Sequence, residues 1–222
     1  MKQLPQLDPD EHGNARLQRL IRCLHPDDYG PFVAKLTTQP LRARLHTYRE
    51  LLLGAQIRRG GADFRYEQEV DGQTPDWSLS EGGKLLELID VLTLHQRNEK
   101  EREITTSLHT KKRWAGWITI PADHIYRKLN DKSGQYSALA REKRVPYVLA
   151  AFGDFFASIS PEEVKRVLYV EHDGWFATVP EVSGVIYFTE RSFRFEFMYF
   201  QNPAALSPPA NWSSRIHRWS DA

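Results

Sequence analysis

The stretch Lys84-Leu-Leu-Glu-Leu-Ile-Asp-Val-Leu-Thr-Leu94 constrains the fold more than any other part of the chain. Its apolar residues run with few interruptions, a pattern that an edge strand would expose to water and that a strand buried on both faces accommodates. Such a strand belongs inside a sheet covered by helices, so this run alone points to an α/β architecture. The other 211 of 222 residues must supply the neighbours, and a hydrophobic content of 41% is enough for a real core.

The flanking segments fit that frame. Leu41 to Arg59 reads as a helix with Leu45, Tyr48, Leu52 and Ala55 in one stripe, stopped by Gly60-Gly61. Phe64 to Val70 alternates like a strand, Asp71-Gly72 reads as a turn, and Thr74 to Leu79 as the returning strand. Glu81-Gly82-Gly83 turns the chain into the Lys84–Leu94 run. Asp123 to Arg144 reads as a second helix, capped by Asp123 and carrying Ile125, Leu129, Tyr136 and Leu139, with Gly134 at its centre. Val145 to Ala151 is a further buried strand, Pro161 to Leu168 a short helix, and Val182–Phe188 with Phe193–Phe200 a hairpin. The stretch Gln96–Arg113 is highly charged and suits either a helix or a loop. Three parts are expected: residues 1–38 as a partly helical lead-in (Leu17, Leu20, Ile21 and Leu24 have helical spacing), 39–160 as the core, and 161–222 as an extension packing on it.

Charge and cysteine content narrow the chemistry. Thirty basic residues balance 29 acidic ones, so no global field draws the chain to nucleic acid or anionic membrane, although an acidic site can mask a basic surface in that total. Cys23 stands alone, which excludes an internal disulfide or a cysteine zinc cluster. The eight histidines show no HExxH or paired spacing. No apolar stretch is long enough for a membrane span and the first residues are polar, so the expected location is the cytoplasm.

The chemistry gathers around Tyr66-Glu-Gln-Glu-Val-Asp-Gly-Gln-Thr-Pro-Asp76-Trp and Leu85-Leu-Glu87-Leu-Ile-Asp-Val91. Asp76 opens a returning strand, and Glu87 interrupts a run that should be buried, where an uncompensated carboxylate is costly. On adjacent antiparallel strands the two acids would repel unless a cation lay between them, and a hard divalent ion prefers such oxygen ligands. The plainer use of the same residues is Asp76 capping a turn and Glu87 paired with an Arg or Lys.

Thr74-Pro75-Asp76 followed by Leu86-Glu87-Leu88-Ile89, after a helix and a hairpin, resembles the PD-(D/E)xK nuclease superfamily over roughly Leu41 to Ala151. The resemblance implies a mixed central sheet flanked by helices, an αβββαβ core here extended by a C-terminal β-hairpin. It assigns Mg²⁺ (or Mn²⁺) binding to Asp76 and Glu87, with the Leu88 carbonyl beside them and Glu50 completing the acidic cluster. The motif lysine is missing, since its position is held by Ile89. Lys128, Lys132 and Tyr136 share a face of the following helix, so a lysine displaced to that helix would be Lys132 first and Lys128 second.

The implied activity is Mg²⁺-dependent phosphodiester hydrolysis of nucleic acid, DNA in particular. The alternative is a catalytically inactive nuclease-like domain that binds nucleic acid or a protein partner, and Ile89 is its main support. Lys111, Lys112 and Arg113 with Trp114 form a basic-aromatic cluster suited to nucleic-acid contacts, or simply a charged surface turn. Phe193, Phe195, Phe197 and Tyr199 alternate on one strand face, which serves core packing or, if exposed, a homodimer.

Overall fold

The computed structural model describes residues 11–94, 120–153, 159–191, 194–207, 212 and 219–220. The charged stretch Gln96–Arg113, and with it Lys111, Lys112 and Arg113, lies outside the described residues.

Three helices come first: α1 (Glu11–Cys23), α2 (Tyr29–Thr38) after a 3-10 turn at Pro26–Asp28, and α3 (Leu41–Arg59). Leu17, Leu20, Ile21 and Leu24 are all buried, as their helical spacing requires. Helices α1 and α2 pack on the outer side of α3 while the sheet lies against its inner side. Every residue from Leu51 to Ile57 is therefore buried, and the expected four-residue stripe was too narrow. Leu45, its first member, is 44% exposed.

The meander follows as β1 (Arg65–Tyr66), β2 (Trp77–Glu81) and β3 (Lys84–Leu94). The first strand is shorter than the alternation of Phe64–Val70 suggests, because Glu67 takes a left-handed conformation with φ 44° and ends it. Gly82 and Gly83, with φ 57° and 78°, make the two-residue β2–β3 turn, where both central residues need positive φ. A bulge interrupts this hairpin, since Leu79 pairs with Glu87 while Ser80 pairs with Leu85.

The expected helix over 123–144 is two helices, α4 (Ala122–Ser133) and α5 (Ser137–Lys143), parted where Gly134 caps the first. The cap at the start is Pro121, and Asp123 sits in the first turn. Then come β4 (Tyr147–Gly153), α6 (Pro161–Tyr169) with a Ser160–Glu163 capping box, the short α7 (Trp175–Thr178), β5 (Gly184–Arg191), β6 (Arg194–Gln201) and β7 (Trp219–Ser220).

The strands form one mixed sheet in the order β1-β2-β3-β4-β5-β6-β7. The middle strands β3, β4 and β5 are parallel and the outer pairings antiparallel. The Lys84–Leu94 run is internal, as its composition requires. Its Leu88 and Leu92 join the core under α4 to α7, and its Ile89 and Val91 join the core under α1 to α3. Gly54 in α3 is obligatory, because a Cβ there would lie 2.0 Å from Trp77 Cζ2. The aromatics of β6 pack on the core to different depths: Phe195 is buried, while Phe197, stacked on Phe188 at 5.4 Å, and Tyr199 are half-buried. Among the described residues no helix is long and apolar enough to cross a membrane.

Candidate metal centre

Two side chains of α3 begin the site. His46 and Glu50 are one turn apart, so they share a face, with Nε2 3.1 Å from Glu50 Oε1. Glu50 is buried, and its other oxygen accepts a hydrogen bond from the Tyr66 hydroxyl, which in turn accepts one from Lys35 Nζ at 2.9 Å. Lys35 also pairs with Glu67.

Asp76 sits just ahead of β2. Its Oδ2 accepts the Val91 backbone N–H at 2.6 Å, and the Tyr136 hydroxyl donates to the Thr74 carbonyl at 2.7 Å, two ties that locate the Thr74-Pro75-Asp76 segment. His46, Glu50 and Asp76 each present a ligand atom, all within 4.8 Å of one another. This group can hold a metal ion.

Asp90 completes the cluster from the sheet. Trp77 pairs with Ile89, so the preceding residue, Asp76, falls opposite Asp90, and the two carboxylates interact directly. Asp90 is fully buried. Lys132 Nζ, from the last turn of α4, lies 2.8 Å from Asp90 Oδ1, a charge contact whose angle is off that of a good hydrogen bond. Tyr147 donates to Asp90 Oδ2 at 3.4 Å.

These acids are crowded with negative charge. Burial, and then the charge of Asp76, push Asp90 up to about 9 and Glu50 up to about 7. Burial and then the charges of Asp90 and Asp76 push the Tyr136 phenol up to about 12. Lys132 works in the opposite direction on Asp90 without cancelling the rise.

Of the residues picked out from sequence, the structure sets Glu50 beside Asp76 and brings Lys132 to Asp90, the acid that faces Asp76. Glu87 belongs elsewhere, which corrects the expected Asp76–Glu87 pairing. It pairs at Leu79, away from the Asp76 end of β2, and its Oε1 accepts the Trp212 indole N–H at 2.6 Å. Strand pleat also sets it on the face of Ile89 and Val91, opposite Asp90. The reason for assigning the Leu88 carbonyl goes with it. Taking Asp90 as the second acid moves the motif-lysine position to Leu92, which is again not a lysine. Lys128 makes no contact with the cluster among the described residues, and Lys111, Lys112 and Arg113 are not described.

Asp90, His46, Tyr66 and Lys35 were missed from sequence. The i, i+4 spacing of His46 and Glu50 was a usable signal, and so was Asp90 interrupting the same apolar run as Glu87. Nothing local marks Lys35, which reaches Tyr66 only through the packing of α2.

No protein-family model matches the chain, and neither does any curated protein. Among solved structures, the CdiA-CT/CdiI toxin and immunity complex from Burkholderia pseudomallei aligns over 74% of this chain and 91% of that chain, at 14% identity with a TM-score of 0.39. A likeness of that size says nothing of what the chain does.

Proposed function

We propose that this domain is a metal-dependent phosphodiesterase of the PD-(D/E)xK kind, acting on nucleic acid and most readily on DNA. The observation that carries the reading is Asp76 meeting both Glu50 of α3 and Asp90 of β3, with the Lys132 ammonium 2.8 Å from Asp90. Carboxylates collected in a partly dry site raise one another's pKa, and a divalent cation relieves that repulsion. The donor set fits Mg²⁺ or Mn²⁺, which Asp76 and Asp90 would hold with Glu50 beside them. Such an ion supplies polarisation of a phosphate oxygen and a bound water acidic enough to act near neutral pH.

The chain's own groups have separate work. Lys132 stands beside the acids, where it can neutralise charge gathering on a phosphate in the transition state, the task the missing motif lysine would have had. The Val91 N–H and the Tyr136–Thr74 hydrogen bond fix Asp76, and Tyr66 fixes Glu50. An inactive binder drew its support from Ile89. A lysine delivered to the cluster from α4 supports the catalytic reading instead.

Purified protein should nick or degrade duplex or single-stranded DNA in Mg²⁺ or Mn²⁺, stop on chelation, and lose activity in Asp76→Ala and Lys132→Ala. Inertness of the wild type on DNA and RNA in both metals would defeat the proposal. Cleavage surviving Asp76→Ala would place the activity at another site.

A further inference from the structure

His46 stands apart from the carboxylates in kind. It brings a nitrogen to an otherwise all-oxygen cluster, and it is held from behind by a buried relay. Arg49 Nη1 donates to Thr93 Oγ1 at 3.0 Å, and Thr93 Oγ1 is 3.5 Å from His46 Nδ1. Arg49 and Thr93 are both only 6% exposed, and Arg49 also lies over the Phe152 ring at 4.7 Å, so the far end of the relay is rigid. An imidazole merely paired with a neighbouring glutamate on a helix surface needs no such support. Metal-binding imidazoles characteristically have it, with the ring nitrogen away from the metal tied to a fixed polar group.

The hydroxyl of Thr93 can serve either form of the ring. Donating to Nδ1, it leaves the proton on Nε2, which then donates to Glu50 Oε1 across 3.1 Å. Accepting from Nδ1–H, it leaves the Nε2 lone pair facing Glu50 and Asp76, the arrangement a cation requires. The His46 side chain is 36% exposed, so an ion has a route in from solvent.

We propose that His46 Nε2, Glu50 and Asp76 form a mixed nitrogen–oxygen cation position on the α3 side of Asp76, one that takes a first-row transition-metal dication in preference to Mg²⁺. The inference rests on the reading of Asp76 as a metal ligand and adds the nitrogen donor that sets metal preference, because imidazole favours transition metals while carboxylate and water favour Mg²⁺.

The test is pulsed EPR of Mn²⁺ titrated into the full-length protein. The wild type should show nitrogen modulation of the bound Mn²⁺, and incorporation of ¹⁵N-histidine should change that modulation to the ¹⁵N pattern without any mutation. His46→Gln should remove it and weaken Mn²⁺ binding by about tenfold or more while leaving Mg²⁺ binding little changed. Asp90→Asn should retain it. Bound Mn²⁺ with no nitrogen modulation, or modulation undiminished in a folded His46→Gln protein, would overturn the assignment and leave the carboxylate site standing. No Mn²⁺ bound at all would overturn both.

Discussion

Replacing Glu50 with Gln removes one negative charge from the cluster while keeping its shape. The amide oxygen can still accept from Tyr66, and the amide N–H₂ can face His46. Burial and the charge of Asp76 raise the Glu50 carboxyl from 4.5 to about 7 in the folded protein. A raised folded-state pKa means that the native state keeps a proton the unfolded chain releases. The wild type therefore loses stability as pH rises from 4.5 to about 7, and above that the loss is complete. That rise, at ~1.36 kcal/mol for each tenfold change in proton affinity, corresponds to about 3 kcal/mol. For a chain of this length that is roughly 6–12 °C in Tm. Thermal melts followed by circular dichroism in chelator should show Glu50→Gln level with wild type at the acid end and clearly more stable at the alkaline end. Adding Mg²⁺ should raise the wild type more than the variant, because only the wild type keeps the full acidic set. A variant whose advantage is the same at every pH, or one less stable than wild type in alkaline chelator, would refute the claim that ionising the buried Glu50 beside Asp76 costs stability.

Three further outcomes follow from the same geometry. Lys132→Ala should lower Mg²⁺-dependent cleavage about 10²–10³-fold in single-turnover assays while DNA affinity, read by fluorescence anisotropy, stays near wild type. Glu87→Gln should leave cleavage unchanged but lower the urea midpoint by an equivalent of about 1 kcal/mol, since it alters the buried acceptor of the Trp212 indole N–H. Gly54→Ala should cost about 2–3 kcal/mol in the same denaturation assay, because the new methyl carbon would fall 2.0 Å from the Trp77 ring.

The sequence was most legible where one local pattern decided the structure. The Lys84–Leu94 strand and the Leu41–Arg59 helix have the bounds their patterns suggest, since an unbroken apolar run and a Gly-Gly stop are both local signals. The helical spacing that singled out Lys128, Lys132 and Tyr136 leads to Lys132 beside Asp90. The helix ends at Gly134, however, so Tyr136 lies outside it, and Lys128 makes no contact with the cluster among the described residues. Helix α3 was read as half-buried because nothing within it announces that α1 and α2 will cover its outer side. The choice between Glu87 and Asp90 could not be made locally. Both interrupt the same strand, and which of them meets Asp76 depends on the pairing of β2 with β3.

That pairing makes Asp90 the acid to expect once the hairpin is known. Trp77 opposite Ile89 sets Asp76 opposite Asp90, and directly opposed residues share a face of the sheet. Glu87 is an odd number of residues from Asp90 with regular strand between them, so it must face the other way, and there it finds an indole donor. The bulge lies on the turn side of the Leu79–Glu87 pair, so it alters the phase of Leu85 without disturbing that of Asp90. The charge count then follows from the geometry. Asp76, Asp90 and Glu50 carry three negative charges when ionised and Lys132 returns one, while Lys35 is already engaged by Glu67. Two charges remain uncompensated. In the metal-free protein, proton uptake by Glu50 and Asp90 is the available relief, and this repulsion adds to burial, the larger cause of the rise in both pKa values. A divalent cation offers the same relief without the protons, so metal binding should release protons, and its apparent affinity should climb with pH through about 7, where Glu50 gives up its own. Calorimetric titration of Mg²⁺ or Mn²⁺ in buffers of different ionisation enthalpy measures that release directly, and binding that releases no protons at pH 7 would contradict the account.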